Sequence, residues 1–294
     1  MRWANFFGWR GFYMRFLFPL PVFVLMVSIG MSLRLPDLVA QWKRLTWSAW
    51  LRLLLATFIV PPVFVLLLHR LMPLRPAEAI GLFMVAVVPG APLVSRKMAR
   101  LGFDMHLAAS YQVWGACLTP VMIPLVVFLT GKFYNRDLWI SPLLLIEQIA
   151  AKQFVPLLLG MLLVRLAPER SKKLVPALNV GGNVVLVLVI LLVLIKVAPS
   201  LLGVTVWLPF AALLLAIVCI AAIRLLVRAD VATGRTLAIC NVNRFVGMAL
   251  LLTGQSLHRN DALPAVACYA LVVVFVTILY PRLFPTNQVK ALAA

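Results

Sequence analysis

Charged residues are scarce in this sequence, and acidic residues are scarcer still. Only 12% of the residues are charged, about half the share found in an ordinary soluble domain, whereas 64% are hydrophobic. The chain carries 8 Asp and Glu against 27 Lys and Arg, a net charge of +19. In a soluble protein that excess would indicate nucleic-acid binding, but here the basic residues stand between long apolar runs. They are better explained as topology signals and headgroup contacts, so we expect membrane lipid, and no nucleic acid, as a partner.

Histidine, cysteine and paired acids are also too few or too scattered for the usual catalytic and metal sites. The 3 histidines show no ligand spacing, and the 4 cysteines all lie in apolar stretches, so we expect neither a metal site nor a disulfide. A nucleotide-binding P-loop motif is missing. A membrane-embedded enzyme would need two acids, or a pair such as Ser and Lys, and only Glu147 with Lys152 comes near. We therefore predict no enzymatic activity, no catalytic residue and no bound cofactor.

Long apolar runs make up most of the chain. A hydrocarbon core about 30 Å thick needs about 20 apolar residues per helix, and this length divides the sequence into about nine spans. The N-terminal run is too long for a secretory signal and lacks a small-residue cleavage site. We predict an all-α polytopic membrane protein with spans at 16–34, 48–68, 77–95, 107–129, 142–165, 174–198, 203–224, 233–254 and 262–283.

Two of these runs are interrupted by residues that do not suit a membrane helix. The third contains VAVVPGAPLVS, in which Pro89 and Gly90 favour an unwound backbone, and the eighth contains LAICNVNRFVGMALLL. Arg244 lies within the eighth run, where an arginine at mid-membrane costs from ~3 to over ~10 kcal/mol. It must therefore face a protein interior, a water cavity or a ligand. Two broken helices in one membrane chain favour a transporter.

The broken spans are an odd number of spans apart, so they cross the membrane in opposite directions, as the equivalent members of an inverted repeat do. We predict a single transmembrane transporter domain over 1–294, with a first half-repeat of about four helices over 16–131 and a second of about five over 141–284. We expect the first helix of a symmetric five-plus-five repeat to be missing. Lys and Arg are more frequent in the loops after the first, third, fifth and seventh spans. This bias predicts a cell (inner) membrane protein with its N-terminus outside and its C-terminus in the cytoplasm.

Several stretches resemble the bile acid:sodium symporter family, whose superfamily also contains arsenite permeases. They are collinear and cover nearly the whole chain: VSIGMSLRLPDL, PAEAIGLFMVAVVPGAPLVS, LGFDMHLAAS, AAKQFVPLLLG and NRFVGMALLL. The resemblance implies two helices that cross at their unwound centres, in a core domain beside a separate panel domain.

The sequence departs from that family at the sodium ligands. The resemblance implies Ser and Asn after the first break, where this chain has Val94 and Ser95. It implies Glu, and Gln-Asn four residues further on, in the second crossover helix, where this chain has Cys240, Arg244 and Phe245. A missing carboxylate and an added guanidinium argue against sodium at the family position. We expect Arg244 to take over part of the ion's electrostatic role.

The residues around the breaks form the candidate site. A guanidinium can bind a carboxylate through two parallel hydrogen bonds, and half-helix N-termini add amide donors. Alternatively, Arg244 pairs with an internal acid or caps carbonyls freed by the Pro89 break. The predicted substrate-binding residues are Arg244, Asn241, Asn243, Pro89, Gly90, Ala91 and Ser95. Candidate coupling or cavity-lining residues are Thr119, Gln112, Glu147, Lys152 and Gly247, with Glu147 as the candidate proton carrier.

The sequence therefore predicts a secondary transporter of a small organic anion, driven by an ion gradient or by the substrate gradient itself. Sodium or a proton is the candidate coupling ion, with sodium disfavoured by the replaced ligands. The alternatives are a sodium- or proton-coupled symporter of the bile acid type, an arsenite-permease-like activity and a sensor that binds without transporting.

Overall fold

The computed structural model describes residues 19–32, 46–90, 103–130, 142–201, 203–256 and 260–284. This part of the chain is almost entirely helical, which confirms the predicted all-α class. Three π-helical turns, at Leu55–Ile59, Ala150–Phe154 and Leu252–Ser256, and a 3₁₀ turn at Asn260–Ala262 accompany the helices. The α-helices are α1 (Pro19–Ser32), α2 (Trp47–Leu54), α3 (Val60–Leu71), α4 (Pro76–Val87), α5 (Met105–Thr130), α6 (Pro142–Ile149), α7 (Val155–Leu166), α8 (Pro168–Leu201), α9 (Trp207–Leu226), α10 (Val231–Val242), α11 (Val246–Leu251) and α12 (Leu263–Leu283).

Within the described residues, 5 helical stretches are long and apolar enough to cross a membrane, by length and composition. They are Trp47–Leu71, Leu107–Thr130, Pro168–Leu192, Trp207–Leu226 and Leu263–Leu283. Val22–Ser32 and Pro76–Val87 are shorter apolar helices. A polytopic membrane protein is thus confirmed, while the total of about nine spans and the limits of the two half-repeats stay predictions.

The helices pack as two groups. Helix α1 lies against α7 and α8, and we call these three helices the small bundle. Helices α3, α4, α9, α10, α11 and α12 pack on one another and form the large bundle. Helix α5 lies against α10 on one side and α6 on the other, while α8 contacts α12. The broken helices therefore lie in the large bundle, next to its boundary with the small one.

Two glycines let α1 and α7 approach closely. A Cβ added at Gly30 would lie 2.1 Å from the carbonyl oxygen of Leu157, and one at Gly160 would lie 2.1 Å from that of Val27. These neighbours are backbone atoms, which cannot move aside as a side-chain end can. Small residues at such contacts allow the close backbone packing on which helix association in membranes depends.

A buried carboxylate joins the start of α4 to the turn before α9. Glu78, only 4% exposed, accepts hydrogen bonds from the backbone N–H of Arg75 (3.0 Å) and from both the N–H and the hydroxyl of Thr205 (2.8 Å each). The Arg75 guanidinium donates to the carbonyl of Gly203 at 2.7 Å. Glu78 is therefore occupied in a structural contact, whereas the other described acidic residues, Asp104, Glu147, Glu169, Asp230 and Asp261, are exposed.

We predict that Gly160→Ala lowers the stability of the purified protein by about 1–3 kcal/mol, because the added methyl group collides with backbone of α1. The measurement is thermal unfolding in detergent. Gly181→Ala in α8 is the matched control: nothing lies within 4 Å of its Cβ position, and alanine favours a helix over glycine by up to ~1 kcal/mol. Equal melting temperatures for the two variants would contradict the close packing of α1 on α7.

Candidate functional site

The first break follows from the sequence Val88-Pro89-Gly90. Proline disfavours helical geometry in the residue before it, and Val88 is extended, with φ −83° and ψ 127°, so α4 ends at Val87. A Cβ at Gly90 would lie 2.7 Å from the carbonyl oxygen of Cys240. Glycine is therefore needed here because the second broken segment passes directly against this backbone. Ala91 and Ser95, both predicted to line the site, lie outside the described residues.

The second break spans Asn243 to Phe245, between α10 and α11. Asn243 (φ −77°, ψ 71°) and Phe245 (φ −76°, ψ 78°) adopt the inverse γ-turn conformation. The matching hydrogen bonds run from Arg244 N to Val242 O and from Val246 N to Arg244 O, both at 2.8 Å. The chain thus leaves the helix for three residues without a proline.

The two breaks hydrogen-bond to each other. Phe245 N donates to the carbonyl of Pro89 at 3.0 Å, and Gly90 and Arg244 pair as an isolated antiparallel bridge. Each unwound segment therefore supplies part of the backbone pairing that the other has lost, which membrane-buried backbone requires. The unwound centres predicted from the two interrupted runs lie side by side.

Arg244 is buried at this crossing, with 2% of its surface exposed. Its Nη1 donates to the carbonyl oxygens of Thr57 (2.8 Å) and Val88 (3.1 Å), and its Nη2 lies 3.5 Å from the sulfur of Cys219. Its Nε has no hydrogen-bond partner among the described residues.

The Thr57 carbonyl is open to the guanidinium because its own helix cannot use it. In an α-helix its donor would be residue 61, and in a π-turn residue 62, but both are prolines and lack an N–H. The carbonyl of Val88 is likewise outside the helix, since Val88 is extended. The predicted alternative, in which the guanidinium caps carbonyls freed by the Pro89 break, describes the contact with Val88. The contact with Thr57 depends instead on Pro61 and Pro62.

Asn241 holds three neighbouring elements together. It is fully buried, and its Nδ2 donates to the carbonyls of Cys219 (2.7 Å) and Ala56 (3.3 Å). Its Oδ1 accepts from the Tyr111 hydroxyl at 2.9 Å. Because that hydroxyl has given its proton to Asn241, the Thr57 hydroxyl 3.0 Å away must donate to it. The amide is therefore fully used within the protein.

The remaining predicted residues lie at different depths around this centre. Asn243 is half-buried, donates to Ile239 O at 2.8 Å and accepts from the hydroxyl of Thr277 at 3.1 Å. Gly247 lies inside α11 and not in the break, where a Cβ would meet Leu186 Cδ1 of α8 at 2.8 Å. It permits contact between the bundles.

Helix α5 carries two of the candidate cavity residues. Thr119 is buried and donates to Gly115 O of its own helix at 2.7 Å. Gln112 is 6% exposed, and its Nε2 has no hydrogen-bond partner among the described residues. Glu147 is exposed on α6, and Lys152 is half-buried in the π-turn at Ala150–Phe154. Thr119 and Gln112 thus lie on α5, which packs against α10, whereas Glu147 and Lys152 lie on α6 and the π-turn that follows it.

Sequence reasoning missed Thr57, Tyr111 and Cys219, all of which contact Arg244 or Asn241. The adjacent prolines 61 and 62 were the available signal, since two such residues in an apolar run leave carbonyls without helical donors. Nothing in the local sequence marks Tyr111 or Cys219. Among the described residues, no group of His, Cys, Asp and Glu side chains is arranged to hold a metal ion.

The model of the sodium bile acid symporter family matches residues 19–204, more than half of the chain. The matched part contains α1 to α8 and the first break, whereas the second break lies beyond it. No curated protein matches the chain significantly.

We predict that Asn241→Ala destabilises the protein by about 2–4 kcal/mol, because it leaves buried partners on three elements without their hydrogen bonds. Asn243→Ala is the matched control, since the bonds of this half-buried amide within the described part of the chain go to its own helix and to Thr277. We expect a clearly smaller loss of melting temperature for the control. Equal losses would show that the buried network around Asn241 does not hold the crossing.

Proposed function

The chain belongs to the sodium bile acid symporter family, and on that premise we propose that it is a secondary transporter of a small organic anion. The family match supports a membrane transporter of the bile acid symporter type. The anion and the residues that bind it are our proposal. Arg244 binds the substrate carboxylate through Nε and Nη2, and Asn243 with the backbone at Pro89 and Gly90 borders the site.

The unpartnered Nε of Arg244 is the observation that carries this proposal. Both Nη1 hydrogens are used by carbonyls, and among the described residues the partner of Nη2 is a sulfur, which is a weak acceptor. A buried donor without a partner costs about 1–3 kcal/mol, and no described residue supplies an acceptor to this Nε–H. The substrate carboxylate would supply that acceptor. Nε and Nη2 form one edge of the guanidinium, and a carboxylate can bind such an edge through two parallel hydrogen bonds.

The charge balance of the described residues also favours an anion. A buried charge without a counter-ion is unfavourable by several kcal/mol. The one buried acid in the described residues, Glu78, bonds to Arg75 and Thr205, and the other described acids are exposed. An anionic ligand would supply the missing countercharge at Arg244.

Substrate access requires the two bundles to move, because the guanidinium is closed off in this conformation. Leu186 of the small bundle packs against Gly247 beside the break. Gln153, in the turn that leads into α7, donates to Ala116 O of α5 at 3.3 Å. We propose that an elevator-like or rocking movement breaks these contacts and exposes the site alternately. In the membrane the N-terminus lies outside and the C-terminus in the cytoplasm.

We predict that at least one small carboxylate raises the melting temperature of the purified protein and that Arg244→Gln abolishes this rise. Losing two charge-assisted hydrogen bonds should weaken binding at least about tenfold. Arg244→Lys keeps the charge but lacks the two-donor edge, so it should bind with intermediate affinity. Each variant is compared with its own ligand-free form, because the substitutions also disturb the carbonyl contacts.

Arg224→Gln is the control, since this arginine is exposed at the end of α9. It should leave the carboxylate effect unchanged. An undiminished effect in Arg244→Gln would place the anion elsewhere. A protein that binds the carboxylate but shows no uptake in proteoliposomes would be a sensor on a transporter scaffold.

A further inference from the structure

A position lined by backbone carbonyls at the crossing is filled by the protein's own cation. Thr57 O and Val88 O come from separate segments, and neither has a donor in its own helix. Unwound carbonyls of this kind coordinate sodium at the broken helices of transporters. Here both oxygens accept from Nη1 of Arg244, at 2.8 and 3.1 Å.

The name of the family implies that sodium binds. The described atoms that could coordinate a cation at this position do not fit that ion. Sodium needs several oxygen ligands with room around it, but the freed carbonyls are occupied and Cys219 offers only a sulfur. The resemblance to the family implies a Glu in α10 and a Gln in the break. This chain has Cys240 and Arg244 there. Neither the buried Glu78 nor the exposed described acids reach this position.

Electrostatic repulsion from the Arg244 guanidinium also opposes the binding of sodium at this position. Arginine stays protonated in proteins, so its charge cannot be removed to admit another cation. At an effective dielectric constant of about 20, a sodium ion about 4 Å from the guanidinium would bind on the order of a thousandfold more weakly than at a neutral site. The guanidinium and sodium therefore exclude each other.

We propose that the Arg244 guanidinium replaces a coupling sodium ion at the crossing, so that substrate binding and transport are independent of sodium. The inference deepens the proposed function and rests on it only for the nature of the cargo. The fixed charge neutralises the substrate carboxylate, as a co-bound cation would, but it is not taken from solution. The gradient of the substrate or of another ion then drives transport, and the sodium gradient does not contribute.

Removing the fixed charge provides a direct test, because the carbonyls of Thr57 and Val88 would become open to a small cation. Glutamine at position 244 also adds an amide oxygen. We expect Arg244→Gln to gain a dependence on sodium that the wild type lacks. Arg244→Lys keeps a cation beside the same carbonyls, so it should remain insensitive to sodium.

The experiment measures melting temperatures of purified protein in sodium chloride and in choline chloride at equal ionic strength. For each of the wild type, Arg244→Lys and the control Arg224→Gln, the melting temperature in sodium chloride should equal that in choline chloride. Arg244→Gln should melt about 3 °C or more higher in sodium. With a carboxylate that binds, wild-type uptake into proteoliposomes should be equal in the two salts at a clamped membrane potential.

A wild type that is stabilised specifically by sodium, or whose uptake needs sodium, would overturn the inference. An Arg244→Gln variant that folds but ignores sodium would show that the guanidinium does not occupy a cation position. If that variant does not fold, the wild-type and Arg244→Lys comparisons still decide whether sodium binds. Failure of every carboxylate to stabilise the wild type would instead contradict the proposed function, whatever the effect of sodium.

Discussion

No carboxylate of the described residues meets the buried guanidinium of Arg244, so its oxygen acceptors come from the backbone, and this requirement organises the centre of the protein. Helical backbone has no carbonyls to spare, so the acceptors come from places where helices are interrupted. Pro61 and Pro62 leave the carbonyl of Thr57 open, and the break at Pro89 turns the carbonyl of Val88 out of α4. Arg244 itself lies in the second break, between α10 and α11. The breaks and the buried charge therefore stabilise one another.

The features that depend on local chemistry could be predicted from the sequence. Apolar runs of membrane-spanning length gave the all-α polytopic class, and Pro89 with Gly90 gave the first break. Arg244 marked the second break, because a permanently charged side chain within an apolar run needs a special environment wherever the helix lies. The order of these features also carried the resemblance to the family whose model matches residues 19–204.

The features that depend on distant contacts could not be predicted. Arg244 and Thr57 are 187 residues apart in sequence, and Asn241 and Tyr111 are 130 apart. The sequence gives Asn241 a polar side chain at the right depth but does not reveal that Tyr111, Ala56 and Cys219 use its whole hydrogen-bonding capacity. Gly247 is predicted to line a cavity or take part in coupling, and the sequence does not reveal that its Cβ position faces Leu186 across the bundles. Such roles follow from packing between helices and leave no local pattern.

We propose that Nε and Nη2 of Arg244 bind the carboxylate of the substrate, while Nη1 donates to two backbone carbonyls of the protein itself. An experimental structure, determined with the first carboxylate that raises the melting temperature, tests this most directly. The account predicts carboxylate density within hydrogen-bonding distance of Nε and Nη2, with Nη1 still on Thr57 O and Val88 O. A carboxylate bound away from Arg244, or a protein acid paired with that edge, would contradict it.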